Sequence, residues 1–173
     1  MKKRATGKMA YASMFVAISV VICIISSLFP TISLSIVAFA GIVTAVSLIL
    51  CGFKYSLLVY IATAILALLL VPDKGTSVYY ILLFGHYPMT KLLIERIGKR
   101  AVSWIIKILL ANIIYIAEII IAAYMLGVYE SVGTVMFFVT LILFNVLFIL
   151  YDICLSRIMV AFVLKHSQNR RFH

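Results

Sequence analysis

The sequence predicts an all-α polytopic membrane protein, a bundle of six transmembrane helices with both termini in the cytoplasm. Three observations carry that expectation. Of the 173 residues, 66% are hydrophobic and only 12% are charged, whereas a soluble domain is about half apolar. The apolar residues gather into stretches long enough to cross a bilayer. The cations between those stretches alternate in the way that orients membrane helices. A mean hydropathy of +1.24 excludes a disordered chain on the same grounds. A disulfide scaffold is excluded because the three cysteines, Cys23, Cys51 and Cys154, each sit inside an apolar run.

The whole chain, 1–173, reads as one transmembrane domain. Its first apolar run is Met9–Leu28. The preceding Lys2-Lys3-Arg4 resembles the start of a signal peptide, but no small-x-small cleavage site follows Leu28, so a retained helix is expected. Phe29-Pro30-Thr31 sets off the second run, Ile32–Leu50. Cys51-Gly52-Phe53-Lys54 leads to the third, Tyr55–Val71. A polar connection, Pro72-Asp73-Lys74-Gly75-Thr76-Ser77, precedes the fourth, Val78–Ile97, which is the least apolar. Gly98-Lys99-Arg100 introduces the fifth, Val102–Leu126. The sixth, Thr134–Leu155, follows Val128-Tyr129-Glu130-Ser131-Val132-Gly133, and its helix is expected to continue to about residue 164. Short connections imply that sequential helices pack as neighbours.

With the N-terminus in the cytoplasm, the inner side collects Lys2, Lys3, Arg4, Lys8, Lys54, Lys91, Arg96, Lys99, Arg100, Lys107, Arg157, Lys165, Arg170 and Arg171. Only Lys74 falls outside. A different number of crossings scrambles this asymmetry. The net charge of +10 is therefore topogenic rather than a nucleic-acid footprint, and no nucleic-acid partner is expected. The expected location is the plasma membrane, with multiple passes through the lipid bilayer.

No metal, cofactor or catalytic residue is expected. The cysteines are scattered, none stands in a C-x-x-C, and histidine is too sparse for a ligand set. No Ser, His and acid grouping stands out, and no nucleotide-binding motif is present, so energy must come from partners or an ion gradient.

Polar residues at membrane depth are costly, about 2.5–3.5 kcal/mol for a charged side chain, and each needs a reason. The candidates for substrate binding are Tyr79 and His86 in the fourth run, Asn112, Tyr115 and Glu118 in the fifth, and Asn145 in the sixth. At about 1.5 Å per residue, His86 and Glu118 each lie about 12 Å from the outer helix ends, with Tyr115 and Asn145 at about 16–17 Å. Three helices thus bring polar groups to one layer in the outer half of the bilayer. Asp152, about 27 Å from the outer end, belongs near the inner surface, where Arg157 is its expected partner. Lys91 with Glu95, and Glu95 with Lys99, read as solvated i,i+4 pairs, and Lys107 as a snorkelling side chain. Within Phe84-Gly85-His86-Tyr87-Pro88, the proline predicts a kink or break, and Tyr79, His86 and Thr90 share a face at helical spacing. His86 and Glu118 admit two readings, a ligand pocket or a pair stapling two helices.

Small residues at helical spacing mark close helix approach. Ala10, Ser13 and Ala17 lie on one flank of the first run, with Gly41-x-x-x-Ala45 in the second and Thr63-x-x-x-Ala67 in the third. Runs one to three are therefore a packing surface, and runs four to six carry the deep polar groups.

This organisation resembles the S component, the substrate-capture subunit, of energy-coupling factor transporters, and the stretch from Leu70 to Lys91 is similar to uncharacterised S-component-like proteins. The resemblance implies capture of a vitamin-like small molecule from outside for uptake driven by a transmembrane coupling subunit and two cytoplasmic ATPases. It places the pocket at the layer of His86, Tyr115, Glu118 and Asn145, with the 72–77 loop closing over it. Glu118 then binds a cationic or hydrogen-bond-donating group, His86 and Asn145 fix polar groups, and Tyr79 and Tyr115 stack on a ring. Family members dock on the coupling subunit through a first-helix Ala-x-x-x-Ala, for which this chain has Ser13-x-x-x-Ala17. Metal-ion members carry an N-terminal histidine ligand set that Met1-Lys2-Lys3 lacks. Two other classes stay open: a structural membrane protein similar to the rod-shape protein D family, and a small membrane enzyme using His86 and Glu118 as an acid/base pair.

Overall fold

A computed structural model describes residues 2–126 and 134–171. The described residues form helices and turns, with no strand among them. The helices are α1 Lys2–Ser27, α2 Ser33–Cys51, α3 Phe53–Leu70, α4 Lys74–Tyr79, α5 Tyr87–Glu95, α6 Arg100–Leu126 and α7 Thr134–Arg171. A single 3-10 turn, Pro30–Ile32, leads into α2, and a π turn, Tyr80–Phe84, prolongs α4. Among the described residues, five stretches are helical, long and apolar enough to cross a membrane: Thr6–Ser27, Pro30–Cys51, Phe53–Leu70, Arg100–Ile121 and Val135–Leu164. The chain is a multi-pass membrane protein. The expected connection Val128–Gly133 lies outside the described residues, and α7 extends past residue 164 to Arg171.

The chain divides into two compact units, Met1–Thr90 with Cys154–His173, and Lys91–Ile153. In the first, α1 packs on α2 and α3, and α2 on α3. Gly52 makes the tight α2–α3 reversal possible. Its φ of 93° lies in the left-handed region that a side chain strains, and its N–H still closes α2 onto the Leu48 carbonyl at 3.2 Å. Near this turn Ala12, Phe15, Cys51 and Val59 form a buried apolar cluster. The small residues of α2 and α3 do what their spacing predicts, for Gly41, Ala45, Thr63 and Ala67 are all buried. Those of α1 differ: Ala10, Ser13 and Ala17 are exposed.

The fourth run departs most from expectation. The segment 72–77 is not a loop, because α4 begins at Lys74. Asp73 caps it, its carboxylate accepting from the Gly75 and Thr76 amides at 3.0 and 3.1 Å and from the Thr76 hydroxyl at 2.6 Å. This is the N-cap chemistry that Asp supplies. Lys74 turns back and donates to the Leu68 and Val71 carbonyls at the end of α3, and the Ser77 hydroxyl donates to the Ala67 carbonyl at 2.9 Å.

The predicted break is present, but it precedes Pro88 rather than centring on it. The Gly85 amide donates to the Tyr80 carbonyl at 2.7 Å, an i→i+5 bond that makes the π turn. The chain then passes through Gly85 and His86, and α5 restarts at Tyr87 with Pro88 in its first turn, where a missing N–H costs nothing. Despite being the least apolar run, this segment is deeply buried: Thr76, Ser77, Tyr80, Leu83, Phe84 and Tyr87 are each at most 1% exposed. Irregular backbone in a membrane protein survives where protein surrounds it, and α4 with its π turn lies against α2 and α3.

In the second unit α6 has two opposed stripes. Ile105, Leu109, Ile113, Ile116 and Ile120 are exposed at the i+3, i+4 spacing of one helix face. Lys107, Ala111, Ile114 and Tyr115 are buried on another. The apolar stripe suits lipid and the partly polar one faces protein, the reverse of a soluble amphipathic helix.

A Cβ on Gly85 meets the Tyr60 ring at 2.7 Å and the Tyr80 carbonyl oxygen at 2.8 Å, whereas one on Gly7 meets nothing within 4 Å. Gly85→Ala is therefore expected to destabilise the protein by about 1–3 kcal/mol, as overpacking does. Gly7→Ala is expected to be neutral or slightly stabilising. Thermal unfolding of the purified variants in detergent reads the difference.

Candidate functional site

The first unit carries a chain of buried polar groups built around the helix break. The Thr44 hydroxyl lies 3.0 Å from the Tyr80 hydroxyl and also donates to the Ala40 carbonyl. Ser47 donates to the Ser56 hydroxyl at 3.0 Å, and Ser56 to the Thr44 carbonyl at 3.1 Å. At the π turn, the Gly85 amide is spent on Tyr80, so the Ile81 carbonyl loses its ordinary i+4 donor. Two side chains replace it. The Tyr60 hydroxyl donates to it at 3.1 Å, and His86 Nδ1 lies 3.2 Å away. A carbonyl only accepts, so Nδ1 carries the proton in this contact, and in a neutral ring Nε2 is left as an acceptor. The His86 carbonyl in turn accepts from the Thr90 amide and hydroxyl, both at 3.1 Å.

Tyr79 is half-buried at the end of α4, and its neighbour Tyr80 takes the core position. The buried residues Thr76, Ser77, Tyr80, Leu83, Phe84 and Tyr87 follow one face at i+3 and i+4 spacing, and Tyr79 lies off it, while the π turn moves the later His86 and Thr90 round the helix. The shared face of Tyr79, His86 and Thr90 assumed a regular helix.

In the second unit, polar pairs run along the α6–α7 packing. Asn112 and Asn145 bond reciprocally, amide to carbonyl, at 3.3 and 3.2 Å. The Tyr115 hydroxyl lies 2.6 Å from the Thr140 hydroxyl, and its ring stands 5.8 Å from Phe137 and 5.2 Å from Phe144. Asn112, Tyr115 and Asn145 thus have partners within this unit. Glu118 differs. Its Oε1 is buried and has no hydrogen-bond partner among the described residues, one helical turn along from Tyr115.

The same unit holds a ring of four charges that the sequence reading dispersed. Lys91 contacts Asp152 and lies 3.0 Å from Glu95. Lys107 lies 2.8 Å from Glu95 and 3.0 Å from Asp152. Lys91, Lys107 and Asp152 are 1%, 4% and 2% exposed, while the Glu95 side chain is 49% exposed. Three expectations change. Arg157 is exposed and is not the partner that holds Asp152, because positions i and i+5 point to widely different sides of a helix while i+3 and i+4 neighbour each other. Lys107 does not snorkel, because acids lie within its reach. Lys91 and Glu95 do pair, but Lys91 is buried rather than solvated. The sequence signal that exposes the ring is a Lys four residues before a Glu, with a second Lys and an Asp at comparable depth on the next two helices.

Compared with known protein families, curated proteins and solved structures, the chain matches none.

Removing one member of a buried charge network leaves its partners uncompensated, which costs about 3–5 kcal/mol. Asp152→Ala is expected to lower stability by that amount, and Arg157→Ala to change it by about 0.5 kcal/mol or less, as at other exposed positions. Denaturation in detergent distinguishes the two partner assignments.

Proposed function

We propose that the chain is the substrate-capture subunit of an energy-coupling factor transporter in the plasma membrane, taking a small vitamin-like molecule from outside for ATP-driven uptake by partner subunits. The observation that carries this reading is Glu118. A carboxylate in an apolar membrane helix is a functional residue by default. Here its buried Oε1 has no donor among the described residues, while Asn112, Tyr115 and Asn145 of the same unit each have a hydrogen-bond partner. A ligand bearing a cationic or N–H group supplies that donor. The partners of Asn112, Tyr115 and Asn145 hold those side chains in fixed orientations, the preorganisation a recognition site needs.

The proposed topology is six crossings with both termini inside. The broken segment Lys74–Glu95 supplies the sixth, since it has about as many residues as a crossing needs. The cation asymmetry, with Lys74 alone outside, supports the orientation. Ala10, Ser13 and Ala17 are exposed and small, which suits close approach by a helix of the coupling subunit. Two cytoplasmic ATPases complete the proposed complex.

A second reading, a scaffold of the rod-shape protein D type, draws on the reciprocal Asn112–Asn145 pair and the Tyr115–Thr140 contact. Such bonds staple helices in proteins that bind nothing.

Recovery of the tagged protein from its host in mild detergent, followed by mass spectrometry, separates the readings. A multi-span membrane subunit and two ATPases are expected under the capture reading, and cell-wall or division proteins under the scaffold reading. Ser13→Leu is expected to reduce recovery of the coupling subunit. Glu118→Gln is expected to leave recovery unchanged and to weaken uptake at least tenfold, the scale of a lost hydrogen bond to a charged group. Unimpaired uptake in Glu118→Gln removes that residue from the site.

A further inference from the structure

The ring of Lys91, Glu95, Lys107 and Asp152 has one unequal member. Three of its side chains are at most 5% exposed, and Glu95 is 49% exposed. Without Glu95, the two ammonium groups and the Asp152 carboxylate leave one positive charge, buried and directed toward the place where the Glu95 carboxylate now sits. Glu95 therefore acts as an internal anion on a two-lysine site, bridging the amines at 3.0 and 2.8 Å through one oxygen.

A second, independent observation locates this site within the membrane profile. Trp104, the single tryptophan of the chain, is 37% exposed, and Lys107 Nζ lies 5.4 Å from its ring centroid. Tryptophan concentrates at the headgroup level of membranes. The exposed Arg96, Lys99 and Arg100 follow at the α5–α6 connection. The two lysines thus sit beside the residue types that mark the headgroup level.

We propose that Lys91 and Lys107 form a binding site for the phosphodiester of an anionic phospholipid, which displaces the Glu95 carboxylate. The chemistry matches on three counts. A phosphodiester, like a carboxylate, spreads a single negative charge over paired oxygens, so exchange keeps the buried charges balanced. Ammonium groups bind phosphate well as point charges. The exposed basic residues nearby disfavour the cationic end of a zwitterionic headgroup and accept a neutral glycerol headgroup, so phosphatidylglycerol is preferred over phosphatidylcholine. Basic sites between transmembrane helices at an interface recognise lipid headgroups in this way. The site is independent of the transport reading and needs only that the chain lies in a bilayer.

Trp104 makes the test specific, since all tryptophan fluorescence arises beside Lys107. The full-length protein in detergent is titrated with phosphatidylglycerol or phosphatidylcholine carrying brominated acyl chains, which quench a nearby tryptophan. Phosphatidylglycerol is expected to quench at a lower mole fraction. Glu95→Gln, which frees both lysines with little change of shape, is expected to strengthen that quenching about fivefold, the scale of one cation–lipid contact. Glu95→Ala is expected to move it the same way. Equal quenching by the two lipids, or no response to either Glu95 substitution, overturns the site. A phosphatidylglycerol preference that Arg96→Gln abolishes and Glu95→Gln leaves unchanged is general surface attraction, and also overturns it. Inorganic phosphate is added in a final arm. Undiminished quenching supports the lipid, whereas recovery of fluorescence shows that the lysines take free phosphate instead.

Discussion

The structure turns on the carbonyl of Ile81. In hydrocarbon a backbone oxygen without a donor costs several kcal/mol, and the π turn takes this oxygen's ordinary donor away. Tyr60 from α3 and His86 from beyond the break both reach it. Much else in the first unit follows from that need. Gly85 is required because the Tyr60 ring and the Tyr80 carbonyl occupy the space of a Cβ. Tyr80 rotates into the core and meets Thr44. The segment with the fewest apolar residues is the one most enclosed by protein, since lipid offers no substitute for these bonds.

The second unit solves a different problem, that of charge. Lys91, Lys107 and Asp152 are costly to bury singly and tolerable together, because each amine meets two carboxylates and each carboxylate meets two amines. Beyond the ring, amide pairs with amide and hydroxyl with hydroxyl, until Glu118 breaks the pattern. Among the described residues, the Asn112–Asn145 and Tyr115–Thr140 pairs satisfy each other, whereas Glu118 Oε1 is buried without a hydrogen bond.

The apolar runs were legible in the sequence to within a few residues, because run length and composition decide helix formation in a bilayer. The partners of buried polar groups were not. Periodicity assumes 3.6 residues per turn throughout, so the π turn shifts His86 and Thr90 relative to Tyr79 and breaks the face the three were expected to share. Pro88 signalled a break and drew attention to itself, although the rupture falls at Gly85 and His86. Local spacing also paired Asp152 with Arg157, while the real partners stand on two other helices and share its depth rather than its local spacing. The depth argument did place Glu118, Tyr115 and Asn145 within the span, because depth follows from run length, but it did not pair Asn145 with Asn112.

The turn between α3 and α4 has a consequence for biosynthesis. Asp73 and Lys74 are adjacent and opposite in charge, and each is already engaged, the carboxylate on the first amides of α4 and the amine on the last carbonyls of α3. Under the proposed orientation, this turn is the charged segment that the insertion machinery carries across the bilayer. It then travels as a hairpin tip of zero net charge, with both ions already hydrogen-bonded within the chain.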